Sequence, residues 1–414
     1  MKITGTTPVS RILSEYPDSF EVFLRNGFPY PDGPAMIREI GEDTMLQTVL
    51  RVREMNLELF LYDLENAILK AEQERRYVLE DFNPWDHLDF YGNTICPLKF
   101  TFKDALEELE RDHARKTGTA RKCYVEAGKN SNDTCDELWS DPDPERFPAI
   151  LFTKEFNQYL GRDFRERMAD KGYFTADFYR DIEINPQFVN AGLMDPLGQY
   201  GVYAVMADVL LVDRNKLGDL PVPRTRKDLL DPRYRDRIVL FGKDRTEISN
   251  ATFLYIYKEF GMDGIRSLAR NVKHALHGAQ MSRMAGSANT EGGSVYLVSW
   301  FFAKTCVKPN VEIVWPEDGC MTLPMYLLVR KDRLEAVRDI VDYIVGDEFA
   351  AACSRAYTPA ANAAGGEILP PGAKFAWLGW DYIRSHDLEA VAGACKDVFF
   401  AEWERTHREG RMFL

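Results

Sequence analysis

His87–His113, HLDFYGNTICPLKFTFKDALEELERDH, changes its hydrophobic period in mid-course. Leu88 and Phe90 flank Asp89 ahead of Tyr91-Gly92-Asn93-Thr94, and from Pro97 onward Phe100, Phe102, Ala105, Leu106 and Leu109 recur at helical spacing. The stretch predicts a strand, a polar turn and a helix. In an open parallel sheet such a turn lies at the carboxyl end of the strand, where the unpaired amides of the helix N-terminus favour an anionic or polar ligand. Asn93, Thr94, Ile95 and Cys96 are therefore the expected wall of a pocket.

Upstream of this stretch the period is helical throughout. Residues 1 to 80 predict short helices over Pro8–Leu13, Asp18–Arg25 and Pro34–Ile40, the last two closed by Gly27 and Gly41, then Met45–Met55 capped by Asp43 or Thr44. Asn56 is placed to cap a long helix over Leu57–Leu79 with Phe60, Leu64 and Ile68 on one side. This is a small helical domain, and Asp81–Asp86, DFNPWD, is the hinge after it.

Downstream, strands are expected over Arg121–Ala127, Phe147–Phe152, Gly198–Leu217, Ile238–Phe241, Val295–Val298, Val311–Val314 and Leu323–Val329. Helices are expected over Phe164–Lys171, from Ser249 through Phe260, and over Gly264–Val272, with most of the chain beyond Leu334 helical. The polar loop Gly128–Glu145 and the Pro-rich segment Pro221–Arg235 separate them.

Several strands end in corners of one kind. Asn93–Cys96, Thr153–Phe156, Arg245–Asn250 and Ser299–Trp300 each follow a buried strand and precede a helix, and each is polar or aromatic. Ser249 and Asn250 are also ordinary helix caps, so the recurrence is what points to a cleft. The expected ligand-binding residues are Asn93, Thr94, Ile95, Cys96, Glu155, Arg245, Thr246, Ser249, Asn250, Ser299 and Trp300, with Tyr200 and Tyr203 as further aromatic walls.

The 414 residues exceed one ordinary core, and a net charge of −13 makes nucleic acid and anionic membranes poor partners. No segment approaches the ~20 apolar residues of a membrane span, and the first residues lack a signal-peptide core, so the expected location is cytoplasmic. Seven cysteines, an odd number without a CxxC pair, read as reduced thiols.

Catalytic signatures are few: the sequence has no GxxxxGK[ST], GxSxG or HExxH. Cys96 could gain thiolate character at a helix N-terminus, and with Cys320 it could form a soft metal site if both faced one cleft. The acidic run Asp104–Asp112 reads as the solvent face of a helix, and Lys227, Arg233, Arg235 and Arg237 as a solvated basic group. His274 and His277, three apart on an expected strand, face opposite sides.

Residues 7–28, with Thr7-Pro8-Val9-Ser10-Arg11-Ile12-Leu13 and Asn26-Gly27-Phe28, resemble a short helical domain of unknown function found at the start of many anaerobe proteins. Pro29 stands where that family often has a cysteine. Roughly residues 85–400 resemble the extracellular solute-binding family of type-2 periplasmic-binding-protein fold. The resemblance is carried by Leu88–Lys99, by GVYAVMADVLLVDRNKL (201–217), by Asp228-Leu229-Leu230-Asp231-Pro232-Arg233-Tyr234 and by Val314-Trp315-Pro316-Glu317-Asp318-Gly319.

That resemblance implies an α/β, two-lobed fold preceded by the small all-helical domain 1–80. One lobe comprises 86–197 with 321–414, and the other 198–320. It implies non-catalytic binding of a small polar solute, an anion or a metal or metal-containing cofactor, in the inter-lobe cleft by a substrate-binding protein of ABC-transporter type, expected here to be cytoplasmic because the sequence starts with the helical module where exported members carry a signal peptide or lipidation cysteine. The iron binders of that family use adjacent tyrosines late in the chain, and no Tyr-Tyr pair stands there in this one. The alternative on the same fold is a cofactor-synthesis or transferase enzyme with Cys96 as its nucleophile. No cofactor of the protein's own is expected. Residues 1–80 are the expected docking region for a protein partner or a second copy.

Overall fold

The long apolar run after Gln199 becomes strand β5, Gly201–Asp213, paired antiparallel with β10, Cys320–Arg330, and these two strands form the spine of the molecule. The computed structural model describes residues 3–53, 55–79, 88–92, 94–125, 143–154, 156, 158–242 and 248–407. Both spine strands are buried on both faces almost throughout, which is why their sequences run apolar instead of alternating.

Each end of the spine carries a parallel group. At one end β3, Ile150–Lys154, pairs with Met325–Val329 of β10, followed outward by β1, Phe90–Gly92, and β2, Cys123–Val125. At the other, β8, Val295–Ser299, pairs with Asp208–Val212 of β5, followed by β6, Ile238–Phe241, and β7, Val272–Leu276. The order is β2-β1-β3-β10-β5-β8-β6-β7; β4, Phe174–Thr175, and β11, Phe375–Ala376, join β10, and β9, Val311–Val314, joins β5. The β5–β10 register breaks between Met325 and Tyr326, where the two groups meet.

Helices are counted where they have six residues or more. At the N-terminus, α1 (Val9–Glu15), α2 (Phe20–Arg25), α3 (Gly33–Ile40), α4 (Leu46–Val52) and α5 (Leu57–Leu79) enclose their own core of Val9, Ile12, Phe23, Met36, Leu46, Phe60 and Leu64. Asn56 caps α5 as expected, its Oδ1 accepting from Leu59 N–H at 3.0 Å. The expected cap of α4 is different: Met45 occupies that position without a side-chain bond, because the Thr44 hydroxyl donates backward to the Ile40 carbonyl.

The strand, turn and helix predicted from His87–His113 are β1 and α6, Cys96–Thr117. The expected helices over 250–260 and 264–272 are both present, as the two segments of α8, Asn250–Asn271, which is broken at Gly261 by a non-helical φ of 62° that favours glycine. Between α6 and α8 lies α7, Pro186–Ala191. The strand expected at 311–314 is β9, whereas the helix expected over Phe164–Lys171 is a short α turn followed by a π turn, Arg165–Ala169.

The C-terminal part divides between the two ends of the spine, where 321–414 was expected to follow one of them. Helices α11 (Arg338–Val345) and α12 (Asp347–Arg355) pack on α6, with Phe349 5.6 Å from Phe102. In contrast α14, Leu388–Thr406, which follows α13 (Trp380–Ser385), lies against α8. There Phe399 sits 5.3 Å from Phe253, Trp403 Nε1–H donates to the Val272 carbonyl at 2.9 Å, and Glu402 pairs with Arg270. An apolar helix face docks where it finds matching apolar surface, and α8 supplies it.

Candidate solute site

Between the two parallel groups lies a partly open cavity. From the β1–β3 side it is lined by Ile95, the N-cap of α6, and by Lys154 at the end of β3. From the other side come Ser249, the N-cap of α8, and Ser299 and Trp300 at the start of α10, Trp300–Thr305. His277, the N-cap of α9 (Gly278–Met284), completes that side. Four helices thus begin at one hollow. Two of them, α6 with 22 residues and α8, which runs unbroken from Asn250 to the kink at Gly261, are long enough for the free amides and partial positive charge of the first turn to favour negative or polar groups.

The floor is the spine itself. Met206, Ala207 and Asp208 of β5 face the cavity, and Asp208 lies directly beside Ser299 in the β5–β8 register. A carboxylate and a hydroxyl therefore sit side by side on otherwise apolar sheet. The rim is aromatic: Trp300 is 5.3 Å from both Trp315 and Tyr357, in edge-on arrangements, and Lys304 Nζ lies 5.3 Å from the Tyr357 ring. Tyr357 has φ 52°, the left-handed conformation usual for glycine one residue past a helix end. Thr358 N–H returns to the Cys353 carbonyl at 2.9 Å, closing that helix end and aiming Tyr357 and Thr358 at the cavity.

His277 is held well below the ordinary imidazole range, at about 4, by burial first and then by the positive charges of Arg283 and Lys154. Its ring is therefore neutral near pH 7. In that form Nδ1 accepts from Ala279 N–H at 3.4 Å while the Gln280 side chain takes the His277 amide at 3.2 Å.

Of the residues expected at the site, Ile95, Ser249, Ser299 and Trp300 line this one cavity. Thr94 is buried just behind it, its hydroxyl 3.2 Å from the Tyr203 hydroxyl. Asn250 begins α8 without lining the cavity. Tyr200 and Tyr203 are core residues, which corrects their expected role as walls. The Tyr200 hydroxyl donates to the Tyr159 carbonyl at 2.9 Å, and Tyr203 stacks on Phe152 with centroids 4.4 Å apart. Asn93, Glu155, Arg245 and Thr246 lie outside the described residues, as does the side chain of Cys96.

Sequence reading missed Tyr62, Asp208, His277, Phe302 and Tyr357 as cavity residues, and it named the Lys154 corner without choosing the lysine. Cys320 is fully buried and its thiol is pushed well above the ordinary range by that burial, which removes it from any paired-thiol site. The acidic run on α6 is outward-facing and engaged in part, Glu107 with Lys103 at 3.7 Å and Glu110 with Arg121 at 2.8 Å. Arg233 and Arg237 are likewise used locally, on Asp231 and on the Lys216 carbonyl. Among the described residues no cluster of three or more His, Cys, Asp and Glu could hold a metal ion, and no helix is long and apolar enough to cross a membrane.

Solved structures share this fold at low identity. Apo ferric ion-binding protein A of Pasteurella haemolytica is 13% identical over 79% of this chain and 100% of its own, with a TM-score of 0.50. An ABC transporter protein from Clostridium perfringens (15% identity, 78% and 100% coverage, TM-score 0.49) and the spermidine/putrescine ABC transporter substrate-binding protein of Streptococcus pneumoniae (16%, 78% and 100%, 0.49) are also similar. No curated protein matches the chain.

Residues 145–386 match the family model of bacterial extracellular solute-binding proteins. That family is an extracellular one, which overturns the cytoplasmic location expected above; the expectation rested on the first few residues, whereas the match rests on the folded α/β part. With more than half of its length matched, this chain belongs to the bacterial extracellular solute-binding protein family.

Proposed function

We propose that the chain binds a small organic solute bearing an anionic group in the cavity between the two parallel groups, as the substrate-binding component of an ABC-type transporter. One observation carries the reading: α6 and α8, which follow strands at opposite ends of the spine, both start at this cavity, with Lys154 beside them. Helix N-termini and an ammonium favour a carboxylate, phosphate or phosphonate. Asp208, Ser249 and Ser299 offer partners to hydroxyl or amine groups on the same molecule, and Trp300 with Tyr357 covers its apolar body.

The metal arm of the expectation is the weaker one, since the described residues gather no metal-binding cluster. The two lobes of the binding unit are taken as the β1–β3 group with α6, α11 and α12, and the β8–β6–β7 group with α8 and α14. Closure is taken to occur where the β5–β10 register breaks at Met325/Tyr326, expelling water and strengthening the polar contacts. The test is thermal unfolding of the purified chain against carboxylates, phosphate esters, phosphonates, polyamines and metal ions. A raised melting temperature with a compound from the first three classes is expected; a rise confined to polyamines or metal ions counts against the reading.

A further inference from the structure

The N-terminal helices are outside the family match, which begins at residue 145, yet they touch the cavity. Tyr62 of α5 is one of its lining residues. Its ring lies nearly parallel to His277, 15° between planes and 6.3 Å between centroids, and edge-on to Phe302 at 6.1 Å. Parallel and edge-on contacts together define the position of one ring against two fixed neighbours.

The surrounding contacts hold α5 at this place. One turn before Tyr62, Leu59 is 2% exposed and packs into the cluster of Val239, Ala279, Met281 and Phe302, apart from the N-terminal core. Asn56 Nδ2–H donates to the Thr305 carbonyl at 2.9 Å while its Oδ1 caps α5, so one side chain both starts the helix and fastens it to α10. Arg283 of α9 donates to Asn26 Oδ1 at 3.0 Å and lies 3.7 Å from Asp63. On its other flank α5 meets α6, from the opposite end of the spine. Exposed ion pairs of this kind contribute little, so Leu59 and the Asn56 bonds supply most of the docking.

We propose that Tyr62 is a size-selecting residue of the solute site: the appended helical segment supplies one wall of the cavity, and the ring of Tyr62 sets the largest solute admitted beside His277 and Phe302. The inference rests on the reading of this cavity as the solute site. It gives the N-terminal helices a role inside the binding site in addition to any docking role on their outer face. Removing the ring leaves His277 and Phe302 facing open space, and the cavity widens on the α5 side.

The test reads access to the cavity without knowledge of the solute. A thiol is placed in the cavity by Ser299→Cys in the full-length chain, and its alkylation is followed at that peptide by mass spectrometry. Iodoacetamide serves as the small reagent and fluorescein-5-maleimide as the bulky one. The expected result is that Tyr62→Ala speeds the bulky reagent about tenfold or more while changing the small one little, and that Tyr62→Phe, which keeps the ring, behaves as the parent. Equal rates for the bulky reagent with Tyr62 and with Tyr62→Ala would overturn the size-selecting role and leave the solute reading standing. Failure of even iodoacetamide to reach position 299 in either background would show the cavity closed to solutes and overturn both.

Discussion

Tyr62 and His277, 215 positions apart in the sequence, lie with their rings nearly parallel, 15° between planes, at one wall of the cavity. A helix outside the matched family span and a helix cap inside it thus share a surface.

The neutral His277 makes stability depend on acid. Its folded value, about 4, lies below the ordinary 6.5, so as the pH falls the unfolded chain takes up the proton first. The contribution is complete above about pH 6.5 and declines toward pH 4, by on the order of 1–2 kcal/mol after allowance for partial exposure. Thermal unfolding at pH 7, 5.5 and 4.5 is expected to fall less steeply for His277→Gln than for the parent. Parallel curves would contradict the assignment.

Tyr357 pays in backbone conformation for its place at the rim. Glycine adopts φ near 52° without steric cost, so Tyr357→Gly is expected to change stability by less than the loss of the ring alone implies, regaining about 1 kcal/mol at the helix end. Solute affinity is expected to fall, because the ring beside Trp300 is gone. Calorimetry and binding measured on one preparation would separate the two effects.

Gly278 is a close-approach glycine. A Cβ there would meet Phe302 ring carbons at 2.2–2.7 Å, and Phe302 is held between His277 and Tyr62. Gly278→Ala is expected to cost about 1–3 kcal/mol through overpacking. An unchanged denaturant midpoint would show that the Phe302 ring can move aside.

Arg226, two residues before Asp228–Tyr234, ties the start of that stretch to the turn Val314–Gly319. Its side chain is buried, pairs with Glu259 at 2.6 Å and Asp318 at 3.5 Å, and donates to the Asp318 carbonyl at 3.0 Å, while Glu317 N–H reaches the Arg224 carbonyl at 2.8 Å. Arg226→Met is expected to destabilise by about 2–3 kcal/mol, since both carboxylates keep some access to water. Urea unfolding measures this directly.

The corners of the cavity were legible in the sequence because a change of period with a polar turn between marks where a strand hands over to a helix. Ile95, Ser249, Ser299 and Trp300 were all found in that way. Tyr200 and Tyr203 misled because an aromatic on a strand buried on both sides carries no sign of which face it fills. The partner that fixes Tyr200, the Tyr159 carbonyl, is supplied only by the fold. Tyr62 belongs to an amphipathic helix with its own core, so nothing local marks its second contact. His277 caps a seven-residue helix too short to stand out by period, and Tyr357 occupies a position where sequence rules expect glycine. The division of the C-terminal part was hidden for a similar reason: α12 and α14 are both amphipathic, and only α6 and α8 decide which surface each covers.

Isothermal titration of an anionic compound selected by thermal unfolding, into the parent chain and into Lys154→Met and Trp300→Phe, tests the solute site most directly. The account predicts one binding site per chain, with affinity lowered about tenfold, or about 1.4 kcal/mol, in Lys154→Met and by a smaller factor in Trp300→Phe. Binding that is indifferent to both substitutions, in chains that remain folded, would place the solute elsewhere and contradict it.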